Sequence, residues 1–226
     1  MTELLPKYLQ REMYGVFRLA WKRAEEDTKR MNPKKDNLTT MHAIALRIYS
    51  NDDPNIHERL NKEVRGKKEK YKSVDGFRFH SLHFLLTDAI QRLNRLNNDC
   101  VVTYRGTKDT YTPPKGEVRF GFFTSTSTNK TVPLTFGNKT CFVVKTCHGA
   151  PISKYSKFPD EQEVLIPPYE QFKVIKRNAN PKIKPKNEIN CDVVYHLESN
   201  GILSNLRCAL FGKEGEREWY NSHVPY

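Results

Sequence analysis

Cys100-Val-Val-Thr-Tyr-Arg-Gly-Thr107 is the stretch at which the chain changes character. It is short and rich in β-branched residues, which predicts a strand. Upstream of it the periodicity is helical. Ser81-Leu-His-Phe-Leu-Leu-Thr-Asp-Ala-Ile-Gln-Arg-Leu93 is the strongest such pattern, and Asn97-Asn98-Asp99 ends it. Tyr14 to Glu26 places Phe17, Ala20, Trp21 and Ala24 three and four apart, the spacing of one helix face. Thr39 to Tyr49 repeats that spacing, with Thr39 or Thr40 able to cap its start. Ile56 to Val64 reads as a further short helix. Downstream the segments shorten. Val118-Arg-Phe-Gly-Phe-Phe123 follows a Pro-Pro-Lys-Gly turn, and Cys141 to Cys147 alternates. Glu163 to Ile166 stops at Pro167-Pro168, and Phe172–Ile175 and Ile189–Val194 complete the set. Strands at this spacing with short turns predict antiparallel sheets. The fold class is therefore α+β, with a helical N-terminal half and a sheet-rich C-terminal half. Residues 178–186 read as a surface connection and residues 212–226 as a polar tail.

Composition narrows the function classes. A chain of 226 residues fits one large domain or two small ones, and it can bury a core without relying on disulfides or a metal. Its well-spread aromatics argue against disorder. The net charge of +12 attracts anions, whether nucleic acid, anionic membrane or phosphate-bearing ligand. The lysines and arginines are scattered, which favours a solvated surface as the reason for the charge. One dense run, Arg65 to Lys72, reads as an exposed loop or hinge. Among five cysteines (Cys100, Cys141, Cys147, Cys191, Cys208) none forms a CxxC, and no histidine has zinc-finger spacing, so no metal site is expected. Two bridges and a spare thiol fit that count. Asn37, Asn129 and Asn138 begin Asn-x-Thr sequons, a mild pointer to secretion and glycosylation. No apolar stretch is long enough to span a membrane, and Met1 to Pro6 does not open a signal peptide. The protein is then either cytosolic or a form from which targeting segments have been removed.

Three short stretches hold residues suited to chemistry. In Asp160-Glu-Gln-Glu-Val-Leu-Ile-Pro167, an extended backbone would turn Glu161 and Glu163 to one side, and two such carboxylates raise the pKa of at least one. Alone, they read as solvated glutamates at a strand start. Arg105-Gly106 offers a planar fork for phosphate beside a residue that permits close backbone approach. Phe120-Gly-Phe-Phe-Thr-Ser-Thr-Ser127 puts a hydroxyl cluster after an aromatic strand, with no GxSxG elbow to indicate a serine hydrolase.

In combination and in this order, these stretches resemble the arginine-serine-glutamate signature of mono-ADP-ribosyltransferases, nearest the vertebrate cell-surface arginine-specific branch. The resemblance runs over about residues 10 to 195. It includes Ala20-Trp21, Thr40-Met-His-Ala-Ile-Ala-Leu46, Phe79-His-Ser-Leu-His-Phe-Leu-Leu-Thr87 and Tyr104-Arg-Gly-Thr-Lys108. Val118-Arg-Phe-Gly121, Lys145-Thr-Cys147 and Glu163-Val-Leu-Ile-Pro-Pro-Tyr169 belong to it too.

The resemblance implies an ADP-ribosyltransferase fold in which helices pack on two antiparallel-type sheets. It implies a single domain over 1–226, with a helical region over 1–98, a catalytic core over 99–211 and the tail. The implied reaction moves ADP-ribose from NAD, as co-substrate, to arginine side chains of acceptor proteins and releases nicotinamide. Arg105 would hold NAD through phosphate and ribose oxygens, and Gly106 the nicotinamide amide. Ser125 would position the catalytic glutamate, Glu163, which favours an oxocarbenium-like ribose. Glu161 would orient the arginine nucleophile and take its proton, because a guanidinium with a pKa above about 12 is a poor nucleophile while protonated. Phe136 matches an aromatic that stacks on nicotinamide, with core packing the competing role. Cys100 and Cys147 match a family disulfide. Cys191 matches a family cysteine whose usual partner is missing, leaving Cys208 as a fallback and Cys141 as a free buried thiol. The implied setting is extracellular, as a monomer without nucleic acid or metal. NAD glycohydrolysis and a basic polyanion-binding module are the alternatives.

Overall fold

A computed structural model of the chain describes residues 4–66, 76–96, 99–112, 116–178 and 189–203. Among the described residues, five helices come first: α1 Leu4–Glu12, α2 Gly15–Thr28, α3 Thr40–Tyr49, α4 Ile56–Val64 and α5 His80–Arg95. The face read from sequence in α2 is the buried one, comprising Phe17, Ala20, Trp21 and Ala24 together with Thr28. Thr39 caps α3, its hydroxyl accepting from the backbone of His42 while the His42 ring bonds back to the Thr39 N–H. Helix α1 was not expected from the residue pattern. Its last residue, Glu12, is buried, and its carboxylate accepts the N–H groups of His80 (2.6 Å) and Ser81 (3.0 Å) at the start of α5. A carboxylate suits orphan donors at a positive helix terminus.

Among the described residues, eight strands follow: β1 Val101–Thr107, β2 Glu117–Val118, β3 Thr124–Ser127, β4 Thr140–Thr146, β5 Ala150–Pro151, β6 Glu163–Ile166, β7 Glu170–Asn178 and β8 Val193–Ile202. They form one hydrogen-bonded sheet in the order β2-β7-β8-β4-β1-β3-β6-β5. The two expected sheets correspond to two lobes of it, β2-β7-β8-β4-β1 and β3-β6-β5, joined at the single pair Tyr104↔Ser127. All pairings are antiparallel except β4 with β8. β8 pairs antiparallel with β7 on one side and parallel with β4 on the other.

Two strand expectations shift. Of the predicted 118–123 strand only Val118 pairs, as the end of the short strand Glu117–Val118, and Gly121 has φ +71, which breaks an extended run. The predicted strand at 189–194 begins at Val193 and continues to Ile202. Polar residues on its second half hide it, since only Val194, Tyr195 and Leu197 of the strand are fully buried. The Lys67–Lys72 portion of the basic run, residues 179–186, the tail and Cys208 lie outside the described residues.

The helices pack on the smaller lobe. Their core takes in Phe123, Ala150, Ile152, Tyr155 and Leu165. A second core, with Phe142, Val144, Phe172 and Tyr195, fills the larger lobe. Each Val, Leu, Ile or Phe among them contributes roughly 1.5–3 kcal/mol on burial. Cys100 and Cys147 are bridged, as the resemblance implied. Cys141 is not a free thiol: it is bonded to Cys191, which overturns both the free-thiol expectation and the Cys208 fallback. The parallel pair explains this. Cys141 stands opposite Val194 in register, so Cys191, just ahead of β8, falls within reach.

Candidate active site

The site lies across the junction of the two lobes. Arg105, on β1, sends Nη1 to the Ser125 carbonyl on β3 at 2.7 Å. The β3–β6 register sets Ser127 opposite Glu163 and Ser125 opposite Leu165. Ser125, Ser127, Glu163 and Leu165 therefore share one face, with Ser125 diagonal to Glu163. Thr124 and Thr126 are turned away, bonded to the carbonyls of Phe122 and Val164.

Glu163 is 5% exposed. Burial pushes its carboxyl up, Glu161 adds to this, and the Ser125 and Ser156 hydroxyls and Arg105 oppose it, leaving it at about 7. Ser156 Oγ donates to Glu163 Oε2 at 3.3 Å. Burial lowers the Arg105 pKa and nearby Arg65 adds to this, while Tyr49 and Glu163 act the other way. Arg105 stays a cation nonetheless, because guanidinium pKa values start so high. Arg65 itself lies over the Phe122 ring, 3.8 Å from its centroid.

Glu161 and Glu163 do come together, but not along an extended strand. Glu161 ends a 3-10 turn, Pro159–Glu161, and Gln162 takes a left-handed conformation at φ 48 before β6 starts at Glu163. Ser127 Oγ holds the Glu161 carbonyl at 2.6 Å, and Thr128 bonds Gln162 through both backbone and side chain. A non-glycine residue at positive φ costs of order 1–3 kcal/mol and persists where its surroundings over-determine it. Burial raises the Glu161 carboxyl above its ordinary range, and Asp52 raises it further.

Gly106 is required sterically. A Cβ there would collide with the carbonyl oxygens of Pro133 and Gly137 in the segment that crosses β1. That segment carries Phe136, which is 54% exposed, so core packing is not its role. Among the described residues, no group of three His, Cys, Asp or Glu side chains is arranged to hold a metal ion. The arrangement offers a guanidinium for an anion, a carboxylate near neutrality with hydroxyls around it, and a second carboxylate alongside.

A sequence model described as NAD:arginine ADP-ribosyltransferase matches residues 1–189. The chain belongs to that family. It is 38% identical over 190 residues to NAD(P)(+)-arginine ADP-ribosyltransferase 2 of Gallus gallus, covering 82% of this chain and 57% of that one. It is 36% identical over 233 residues to ecto-ADP-ribosyltransferase 5 of Homo sapiens, covering 96% and 76%. The crystal structure of the eucaryotic mono-ADP-ribosyltransferase ART2.2 superposes with a TM-score of 0.72 at 31% identity, covering 92% of this chain and 89% of that one. A variant of ART2.2 has been solved in complex with NAD, and it superposes at a TM-score of 0.70.

This member of the ADP-ribosyltransferase family has site residues that its motifs did not reveal. Tyr49, at the end of α3, donates to the Phe123 carbonyl at 2.6 Å. Asn61 on α4 donates to both the Tyr49 hydroxyl and that carbonyl, at 3.1 and 3.0 Å. Burial drives the Tyr49 phenol up to about 12, and the Glu163 charge reinforces this. Both residues read in sequence as members of helical patterns, and nothing local distinguishes them. Ser156, too, sits in a stretch with no motif.

Proposed function

We propose that the chain transfers ADP-ribose from NAD to arginine side chains and releases nicotinamide. The observation that carries this is the buried Glu163, held near neutrality between Ser125 and Ser156 with Arg105 alongside. Arg105 binds phosphate and ribose oxygens of NAD, and Ser125 positions Glu163. The exposed ring of Phe136 stacks on nicotinamide, and the Gly106 backbone holds its amide. The ionised Glu163 bonds a ribose hydroxyl and favours positive charge at C1′ as the bond to nicotinamide breaks and its electron pair leaves with nicotinamide. A guanidine nitrogen of the acceptor then bonds to C1′, and Glu161 takes its proton. Relatives named for arginine transfer support the choice of acceptor, and the solved NAD complex of ART2.2 supports the donor.

The chain acts as one catalytic unit over residues 1–226 and as a monomer, on arginine-bearing proteins. Its setting is the extracellular side or the secretory pathway. Two disulfides and relatives named as ecto-enzymes support that setting. None of the described helices is long and apolar enough to cross a membrane.

The test is incubation with labelled NAD and agmatine, a small guanidinium acceptor. Nicotinamide release with label on the guanidinium is expected. Folded protein that leaves agmatine unlabelled overturns the proposal. Glu161→Gln is expected to lose transfer by about 10²-fold while NAD hydrolysis persists.

A further inference from the structure

Glu163 and Glu161 are held by different means. Glu163 opens β6, and its backbone is set by the pairing with Ser127 and by Ile152, whose N–H bonds its carbonyl at 2.9 Å. Glu161 belongs to the loop 152–162, which joins β5 to β6. Much of that loop's grip comes from the helices. Arg47 on α3 sends Nη1 to the Ser156 carbonyl at 2.5 Å and Nε to Asp27 Oδ2 on α2 at 2.9 Å. Lys157 Nζ reaches the same Asp27 oxygen at 3.1 Å, and the Lys157 N–H donates to Ser50 Oγ at 2.8 Å. Asp36 takes Lys154 Nζ at 3.0 Å and the Tyr155 hydroxyl at 2.7 Å. Downstream, the Ser156 hydroxyl accepts from the Phe158 N–H, and the Phe158 carbonyl accepts from the Glu161 N–H. An unbroken chain of bonds runs from Arg47 to Glu161.

We infer that Arg47 is a positioning residue that sets how ADP-ribose is divided between an arginine acceptor and water. This rests on the reaction proposed above. The Arg47 side chain is only 15% exposed and Asp27 31%, so solvent screens their pair less than an ordinary surface pair. Charge-assisted bonds of this kind are the stronger ones, and a guanidinium forks between two acceptors as an ammonium does not. Without Arg47 the loop keeps Lys157 on Asp27 and Ser50, and Asp36 on Lys154 and Tyr155. The Ser156 carbonyl loses its partner, however, and the 3-10 turn with its left-handed Gln162 leans more on the bonds from Ser127 and Thr128. The Glu163 backbone, fixed in its strand, stays where it is, and its carboxylate keeps Ser125 and Arg105 beside it while the bond from Ser156 loosens. In transfer, the C1′–nicotinamide bond breaks and a C1′–guanidine bond forms, with the guanidinium proton going to Glu161. In hydrolysis, water supplies the new oxygen and gives its proton to solvent. A displaced Glu161 therefore weakens the first reaction, whereas the second feels only the loosened bond from Ser156.

The experiment compares wild type, Arg47→Ala, Arg47→Lys and Asp27→Asn. Transfer to agmatine and release of free ADP-ribose are measured together, and backbone amide exchange is followed at 157–162 and 163–166. Arg47→Ala is expected to lower transfer about tenfold, as misplacement of a reacting group does, with hydrolysis falling by no more than about twofold, the effect of one weakened neutral hydrogen bond. Arg47→Lys is expected to fall between it and wild type. Amides at 157–162 exchange faster in Arg47→Ala, while those at 163–166 keep their protection. Transfer and hydrolysis falling in equal proportion, or unchanged exchange at 157–162, overturns the inference. If Arg47→Ala does not fold, the same ratio in Asp27→Asn decides. A wild type that never labels agmatine sinks the underlying reaction instead, and the exchange measurement still tests the clamp.

Discussion

The two edges of β1 are held in different ways. Toward β4 it pairs at seven consecutive positions, from Val101↔Thr146 to Thr107↔Thr140. Toward β3 it pairs at one, Tyr104↔Ser127. On the zipped edge the backbones satisfy each other. On the open edge side chains take over: Arg105 reaches the Ser125 carbonyl, and Tyr49 and Asn61 reach the Phe123 carbonyl. The candidate site lies where the ladder gives out. On the reaction proposed above, side chains at this edge serve the architecture and the chemistry together, whereas a side chain such as Thr103, bonded across the zipped edge, serves only the first.

Three changes test that difference. Glu163→Gln has the largest expected effect, a fall in kcat/KM for nicotinamide release of about 10³-fold, since it removes the charge that favours the oxocarbenium. It also exposes a pH linkage. A carboxyl raised from its usual 4.5 to about 7 stabilises the fold fully below 4.5, and that contribution is lost as pH rises through about 7. Glu163→Gln lacks this loss. Its stability relative to wild type, followed by denaturant unfolding, should therefore rise by roughly 3 kcal/mol between pH 4 and 8. In wild type, kcat/KM should climb as pH passes about 7, because the ionised form is the active one. A flat pH difference would mean that Glu163 is not desolvated as described.

Tyr49→Phe comes next. It removes a buried hydroxyl from the open edge while Asn61 keeps its bond to the Phe123 carbonyl. A loss of about 1–2 kcal/mol in urea unfolding is expected, with reduced kcat/KM. Thr103→Val is the matching change on the zipped edge, where Thr103 Oγ1 donates to the Val144 carbonyl at 3.2 Å. It should cost about 1 kcal/mol or less and leave kcat/KM unchanged. Equal losses of activity in the two variants would erase the distinction between the edges.

Legibility followed distance along the chain. The spacing in α2 and the cap on α3 were readable because their partners lie within a turn. Glu163–Ile166 was bounded correctly by its own apolar run and by the prolines after it. Clustered aromatics are a less safe guide, as Phe120 to Phe123 shows: Phe123 is buried beneath the helices, yet that stretch forms no strand. The nearness of Glu161 and Glu163 was anticipated for the wrong local reason, since a left-handed Gln162 rather than strand alternation brings it about. Tyr49 was invisible as a site residue because its carbonyl partner lies 74 positions away.

From the amino-acid order alone came the α+β class, the helical faces and the family, together with Arg105, Ser125, Glu161 and Glu163 as the residues to watch. These rest on local periodicity and on short motifs in a fixed order. The folded chain decided that the two expected sheets are lobes of one, joined at a weak seam, that Cys141 joins Cys191, and that burial raises the Glu163 carboxyl to about 7. It also decided that helices grip the loop bearing Glu161. Each of these depends on burial, or on partners far apart in sequence, and such pairings become definite only once chain closure has brought the segments together.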